Sequence, residues 1–222
     1  MKPTVVFLHG MARTHRSMSL LRRLVERAGY PTWSESYPSR RLSIGELGTW
    51  VAQHVRRDVP EGELVAVTHS MGGIVFRHMV EHLPWRGAVM LAPPNGGSRV
   101  ALAFQGNPMF EWFFGPAGRE LPDPAGWPDP PSPFAVIAGT RSASAFAPPG
   151  LLTRAVGAMP AAEPSDGIVT VAETRLGGMH DFATVNASHT WIMNHPEVRT
   201  MVLDYLAGGK LRPRAGAVQS DC

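Results

Sequence analysis

Residues 65–73 read Val-Ala-Val-Thr-His-Ser-Met-Gly-Gly, so a run of small and β-branched residues reaches a serine and passes at once into a helical pattern. A short apolar run of this kind is typical of a strand buried on both faces of a parallel sheet. The stretch therefore predicts a strand that ends just before Ser70 and a helix that begins just after it. Serine is also a preferred N-cap residue, so an ordinary helix cap is the alternative interpretation.

Similar short runs recur on both sides of this stretch and alternate with helical patterns. Alternating strands and helices indicate an α/β fold, with a mostly parallel central sheet covered by helices on both faces. The predicted strands are residues 4–8, 32–36, 64–68, 87–91, 134–138 and 182–186.

Helical patterns lie between these strands. Residues 20–28 place their apolar side chains on one face, and Gly29 follows as a stop signal. Another helix opens at Ser43 with Glu46 three residues later, which is the spacing of a capping box. The remaining predicted helices cover residues 71–83 and 196–207.

The stretch around the serine resembles the nucleophile elbow of the α/β-hydrolase superfamily, and the chain is most similar to small bacterial serine esterases and lipases. In that motif the serine occupies a strained strand-to-helix turn that exposes its hydroxyl above the carboxyl edge of the sheet. Small residues two places on either side let strand and helix approach closely. Gly72 fits this pattern, whereas Thr68 stands where glycine is usual. The resemblance implies the α/β-hydrolase fold with Ser70 as nucleophile.

In this family the acid and the histidine follow the serine in that order, which points to Asp166 and His189. His189 comes directly after the predicted strand 182–186, at the sheet edge expected for Ser70. His180 precedes that strand, and at about 3.3 Å per residue the strand places it more than about 10 Å from the sheet edge expected for Ser70. The sequence around Asp166 resembles the family's acid loop, although Asp-Gly also occurs as a simple tight turn. The resemblance implies a base at His189 that Asp166 orients.

The resemblance also assigns the two oxyanion-hole amides to the backbone N–H groups of Met11 and Met71. Gly10 stands in a His-Gly turn after the first strand and lets the backbone bend there. We expect His9 to orient loops near the site and His69 to point to the other side of the elbow.

A single domain is expected over residues 1–207, with a cap-like insertion at about 98–133 and a disordered tail at 208–222. Large aromatic residues in the insertion receive an acyl chain, form a lid that opens at lipid surfaces, or form the apolar face of a helix on the sheet. The substrate-binding candidates among them are Phe104, Phe110, Trp112 and Phe113.

Composition excludes several other classes of protein. The only cysteine is Cys222, so an internal disulfide is impossible. Basic residues are scattered, which disfavours nucleic-acid binding, and no run approaches the roughly 18 apolar residues of a membrane span. The sequence shows no signal-peptide pattern, and we expect a cytoplasmic protein.

We therefore expect a serine hydrolase that cleaves small-molecule carboxylic esters with an apolar acyl group, through an acyl-enzyme on Ser70 and with no metal or other cofactor. A thioesterase or an acyltransferase would use the same triad. A non-catalytic binding protein of the same fold is the third alternative, because fold alone does not decide function.

Overall fold

A six-stranded parallel sheet forms the centre of the protein in this computed structural model, which describes residues 2–59, 61–142, 157 and 162–212. The strand order is β2-β1-β3-β4-β5-β6, and every pairing is parallel. The predicted α/β class and parallel sheet are confirmed. The strands are β1 (Thr4–Leu8), β2 (Thr32–Trp33), β3 (Leu64–His69), β4 (Trp85–Leu91), β5 (Phe134–Gly139) and β6 (Asp181–Val185).

Helices cover both faces of the sheet, and none in the described part of the chain is long and apolar enough to cross a bilayer. The capping box predicted at Ser43 and Glu46 is present at the start of the second helix. The helices are α1 (Ser19–Arg27), α2 (Ile44–Asp58), α3 (Met71–Arg77), α4 (Arg99–Ala103), α5 (Pro108–Glu120), α6 (Val171–Thr174) and α7 (Pro196–Gly208).

The sheet separates two hydrophobic clusters. On β1, Val6 and Leu8 pack on the side of α2 and α3, whereas Val5 and Phe7 pack on the side of α1 and α7. This alternation follows from the two-residue period of a strand. The sheet is thus packed on both faces, and the loops that follow β1, β3 and β6 all leave from its carboxyl edge.

Two predicted elements are shorter in the structure. The strand expected at residues 32–36 ends at Trp33, because β2 lies at the sheet edge and pairs with β1 over only two residues. The helix expected at 71–83 ends at Arg77 and is followed by a separate 3₁₀ turn at Val80–His82. Met79 leaves helical geometry between them, with φ −114° and ψ 1°.

The start of the predicted disordered tail is ordered. Gly208 is the last residue of α7, and Gly209 ends the helix in the left-handed conformation. Leu211 is buried, and its N–H donates to the Asp181 carboxylate at 2.7 Å. Assigning residues 208–212 to the tail was therefore wrong, because an apolar side chain and a buried carboxylate hold them. Residues 213–222 lie outside the described part of the chain.

Candidate active site

A strained turn carries Ser70 above the carboxyl edge of the sheet. The residue directly follows β3 and has φ 54° and ψ −130°, in a region that costs a non-glycine residue energy. Its N–H donates to the carbonyl oxygen of Leu91 at the end of β4, at 2.9 Å. The Ser70 side chain makes no capping bond to α3, which contradicts the ordinary N-cap interpretation.

The close approach of two backbone segments explains why Gly72 stands two positions after the serine. A Cβ atom on Gly72 would lie 2.7 Å from the carbonyl oxygens of both Leu8 and His9. Thr68, the departure from the family pattern, is fully buried in β3. Its hydroxyl faces Gly73, where a Cβ would lie 3.2 Å from Thr68 Oγ1. Gly73 therefore provides the room that glycine usually provides at position 68.

The structure brings together the three predicted residues of the triad. His189 Nε2 lies 2.9 Å from Ser70 Oγ, and His189 Nδ1 lies 2.7 Å from Asp166 Oδ2. His189 begins a 3₁₀ turn shortly after β6, at the same sheet edge as Ser70. A carboxylate only accepts, so Nδ1 carries the proton and Nε2 is free to accept the Ser70 hydroxyl proton.

The Asp166 carboxylate is held by its own loop. Its Oδ1 accepts hydrogen bonds from the N–H groups of Ile168 and Val169, at 3.0 and 2.8 Å, which leaves Oδ2 for His189. Its backbone oxygen also accepts the N–H of His189 at 3.1 Å. The Asp166 loop is thus a tight turn that also holds His189 in position through two contacts.

We expected His69 to point to the other side of the elbow, and this prediction was wrong. Its Nε2 lies 3.0 Å from the backbone oxygen of His189, and the two rings lie 4.9 Å apart. Burial lowers the pKa of His69 well below its ordinary value. Neutral His69 therefore donates from Nε2. Val65 and Val67, which share its face of β3, pack on the α7 side, as do Ala187 and Ile192 on either side of His189. Strand alternation was therefore the signal for this placement.

His9 fixes the turn that follows β1. Its Nδ1 donates to Gly10 O at 2.8 Å, and its Nε2 accepts the N–H of Tyr37 at 3.3 Å. The ring stacks on Tyr37 at 3.9 Å, and burial lowers the pKa of His9 to about 4. In a trans peptide the N–H points opposite to the carbonyl, so the bond to Gly10 also orients the N–H of Met11. Met71, the other predicted amide donor, directly follows Ser70 as the first residue of α3.

A cavity of about 660 Å³ opens beside Ser70. Aromatic residues of α5 and the segment before it form much of its wall, and Phe104 stacks on Phe110 at 5.5 Å. Arg13 and Thr190 lie in the same lining, and sequence reasoning did not single them out. In the described part of the chain, no three His, Cys, Asp or Glu side chains cluster to hold a metal ion. All four predicted substrate-binding residues line the cavity, namely Phe104, Phe110, Trp112 and Phe113.

Comparison with known proteins extends the description of the fold. The sequence matches no protein-family model and no curated protein sequence. The structure is similar to the mature lipase BlEst2 from Bacillus licheniformis, with a TM-score of 0.72, 17% identity and 92% of each chain covered. It is also similar to the phospholipase PlaB from Legionella pneumophila, with a TM-score of 0.66 and 18% identity over 94% of this chain and 57% of that one. An extracellular α/β-hydrolase from a Paenibacillus species gives a TM-score of 0.59 at 14% identity, over 95% and 99% of the two chains.

Proposed function

Because the chain has the α/β-hydrolase fold, we propose that it is a serine hydrolase that cleaves carboxylic esters through an acyl-enzyme on Ser70. The observation that carries this proposal is the continuous chain of contacts from Ser70 Oγ through His189 to Asp166, at 2.9 and 2.7 Å. Nucleophile, base and orienting acid are the three parts that this chemistry needs.

The reaction begins when Ser70 Oγ attacks the ester carbonyl carbon while His189 Nε2 takes the hydroxyl proton. Asp166 keeps the proton of His189 on Nδ1 and stabilises the imidazolium that forms. The tetrahedral intermediate collapses to an acyl-enzyme as His189 returns its proton to the leaving alcohol. Water activated by the same histidine then releases the acid.

The backbone N–H groups of Met11 and Met71 donate hydrogen bonds to the negatively charged oxygen of the intermediate and stabilise it. Met11 lines the same cavity as Ser70, and His9 orients its N–H through the bond to the Gly10 carbonyl. Preorganised amide donors cost no reorganisation during the reaction, and each contributes roughly 3 to 4 kcal/mol to transition-state stabilisation.

The shape of the cavity favours an apolar acyl group. Phe104, Phe110 and Phe113 form an aromatic wall beside the reacting atoms, and Trp112 stands at 78% exposure on the same helix as Phe113. An aromatic wall gains free energy by removing apolar chain surface from water. We therefore infer esters of medium or long acyl chains as the substrate class.

Hydrolysis of p-nitrophenyl esters from two to twelve acyl carbons tests the proposal. We expect turnover by the wild type, a loss of about 10⁴-fold or more in Ser70→Ala, and wild-type rates in Ser19→Ala at the start of α1. Labelling by a fluorophosphonate probe, which reacts with activated serines, accompanies the kinetics. Equal activity in Ser70→Ala would overturn the proposal.

The two measurements also separate the alternatives. A wild type that is labelled by the probe and cleaves none of the oxygen esters would favour a thioesterase or an acyltransferase with the same triad. A wild type that is neither active nor labelled would favour a non-catalytic binding protein.

A further inference from the structure

Arg13 is a cation in the wall of the catalytic cavity. The residue follows the His-Gly turn after β1 and lines the same space as Ser70 and His189. Among the described residues that line this cavity, Arg13 is the only one with a charged carboxylate, ammonium or guanidinium group. It is partly buried, and burial lowers the pKa of its guanidinium from the ordinary value.

No carboxylate within the described ranges forms an ion pair with Arg13. Asp166, the carboxylate that contacts His189, already uses one oxygen for that histidine and the other for two backbone amides. Residues 143–161 contain no Asp or Glu in the sequence. By contrast, a carboxylate partner lies within 4.0 Å of Arg22, Arg57, Arg86, Arg99 and Arg119.

The charge of Arg13 acts on two histidines beside the Ser70 turn. It contributes to the lowered pKa of His9 and to that of His69, both of which adjoin the Ser70 turn. A guanidinium stays protonated at neutral pH, and that of Arg13 belongs to a cavity wall that is otherwise largely apolar. A partly buried cation is costly unless an anion pairs with it, and guanidinium geometry matches carboxylate and phosphate groups.

We propose that Arg13 binds an anionic group of the substrate, either a carboxylate or a phosphate, close to the ester that Ser70 attacks. The substrate is then an anionic amphiphile, with its chain on the aromatic wall and its charge on Arg13. This assignment rests on the proposed function, because the anion is placed relative to the serine. The basis is the position of a cation that has no carboxylate partner among the described residues, in a cavity whose remaining wall is largely apolar.

A binding titration tests the anion site without any need for turnover. Calorimetry measures octyl phosphate and the neutral 1-octanol against the wild type, Arg13→Gln and Arg13→Lys. Arg16→Gln is the matched control, since Arg16 is an exposed arginine of the same segment outside the cavity lining. Hydrogen bonds to charged groups correspond to about tenfold or more in affinity.

We expect Arg13→Gln to weaken octyl phosphate by about tenfold or more, Arg13→Lys to weaken it less, and Arg16→Gln to change it less than about twofold. Binding of 1-octanol stays the same in all four proteins. Equal loss in Arg13→Gln and Arg16→Gln would mean a general charge effect and would overturn the proposal. Undiminished octyl phosphate binding in Arg13→Gln would overturn it as well.

Hydrolysis then decides which part of the substrate carries the anion. For the alcohol side, 4-carboxyphenyl octanoate is compared with the neutral 4-carbamoylphenyl octanoate. For the acyl side, 4-nitrophenyl hemisuccinate is compared with 4-nitrophenyl butyrate. In one arm we expect the wild type and Arg16→Gln to prefer the anionic ester by about tenfold in kcat/KM, and Arg13→Gln to abolish that preference.

The outcomes distinguish this inference from the function on which it rests. A wild type that cleaves neutral and anionic esters equally well overturns the anion assignment and leaves the serine hydrolase intact. A wild type that cleaves none of the four esters overturns the ester hydrolase, while the titration still decides whether Arg13 binds an anion.

Discussion

The Nε2 atom of His69 lies 3.0 Å from the backbone carbonyl oxygen of His189, across 120 positions of sequence. The N–H of His189 donates to the backbone oxygen of Asp166, so both polar backbone groups of His189 are held. The residue just before Ser70 thus fixes the loop that carries the base. The bond joins the strained turn after β3 to the 3₁₀ turn after β6.

His69→Leu is therefore expected to lower kcat by about 10- to 100-fold with little change in KM, because the hydrogen bond that positions the backbone of His189 is lost. His69→Gln carries an amide that can donate to the same carbonyl, and it should keep kcat within about fivefold of the wild type. Steady-state kinetics on one p-nitrophenyl ester measures both. If His69→Gln loses as much activity as His69→Leu, the hydrogen bond is not the reason for the effect.

Asp166→Asn is expected to lower kcat by about 10³- to 10⁴-fold without unfolding the protein. The asparagine oxygen still accepts the amides of Ile168 and Val169, so the loop keeps its shape. Its amide, however, donates to His189 Nδ1 and moves the proton to Nε2, where it blocks acceptance from Ser70.

The matched control is Asp123→Asn, an exposed acid whose side chain accepts the N–H of Ala125 in the loop after α5. It should have wild-type kcat. Thermal melting of both variants checks the fold, and an active Asp166→Asn would remove this residue from the mechanism.

Thr68→Val is expected to raise the free energy of unfolding by about 1 kcal/mol and leave kcat unchanged. The Thr68 hydroxyl is buried and has no hydrogen-bond partner among the described residues, and an unsatisfied buried hydroxyl costs about 1 to 3 kcal/mol. Valine has the same shape without that group. Urea unfolding at neutral pH gives the difference, and a destabilised variant would mean that the hydroxyl is hydrogen-bonded after all.

The sheet and the positions of Ser70, Asp166 and His189 were predictable because they depend on chain order and strand polarity. Residues that follow β3 and β6 must meet at one sheet edge, whatever the packing details. Asp166 needed the resemblance as well, since its loop follows no strand directly.

The placement of His69 and the role of Arg13 were not predicted, because both depend on side-chain directions in three dimensions. The positive φ of Ser70 turns the chain sharply, and the position of His69 in this turn suggested that its side chain points to the other side. The alternation of side chains along β3 predicts its direction correctly. Arg13 stands in a loop with no period, and its significance is that it lacks a carboxylate partner in the described structure. That property exists only once the surrounding side chains are in place.

Acid should destabilise the protein through His9. Burial lowers the pKa of His9 to about 4 in the folded protein, against 6.5 for an exposed histidine. Between these values the unfolded chain binds a proton that the folded protein does not, so the free energy of unfolding decreases as the pH falls from 6.5 towards 4. Above that window the contribution is complete, and over the whole window it amounts to about 3 kcal/mol. Buried His69 acts in the same direction.

Urea unfolding at about pH 7.5 and pH 5 tests this contribution in the wild type, His9→Asn and His180→Asn. Asparagine keeps a donor for the Gly10 carbonyl and does not titrate, so His9→Asn should lose about 2 kcal/mol less than the wild type between the two pH values. His180 is exposed, and its variant should follow the wild type. His9→Asn is less stable at pH 7.5, because stacking on Tyr37 is lost, and the two curves therefore converge in acid. Parallel curves would show that His9 is already protonated in the folded protein at pH 5, which would contradict the neutral hydrogen-bonding role assigned to it.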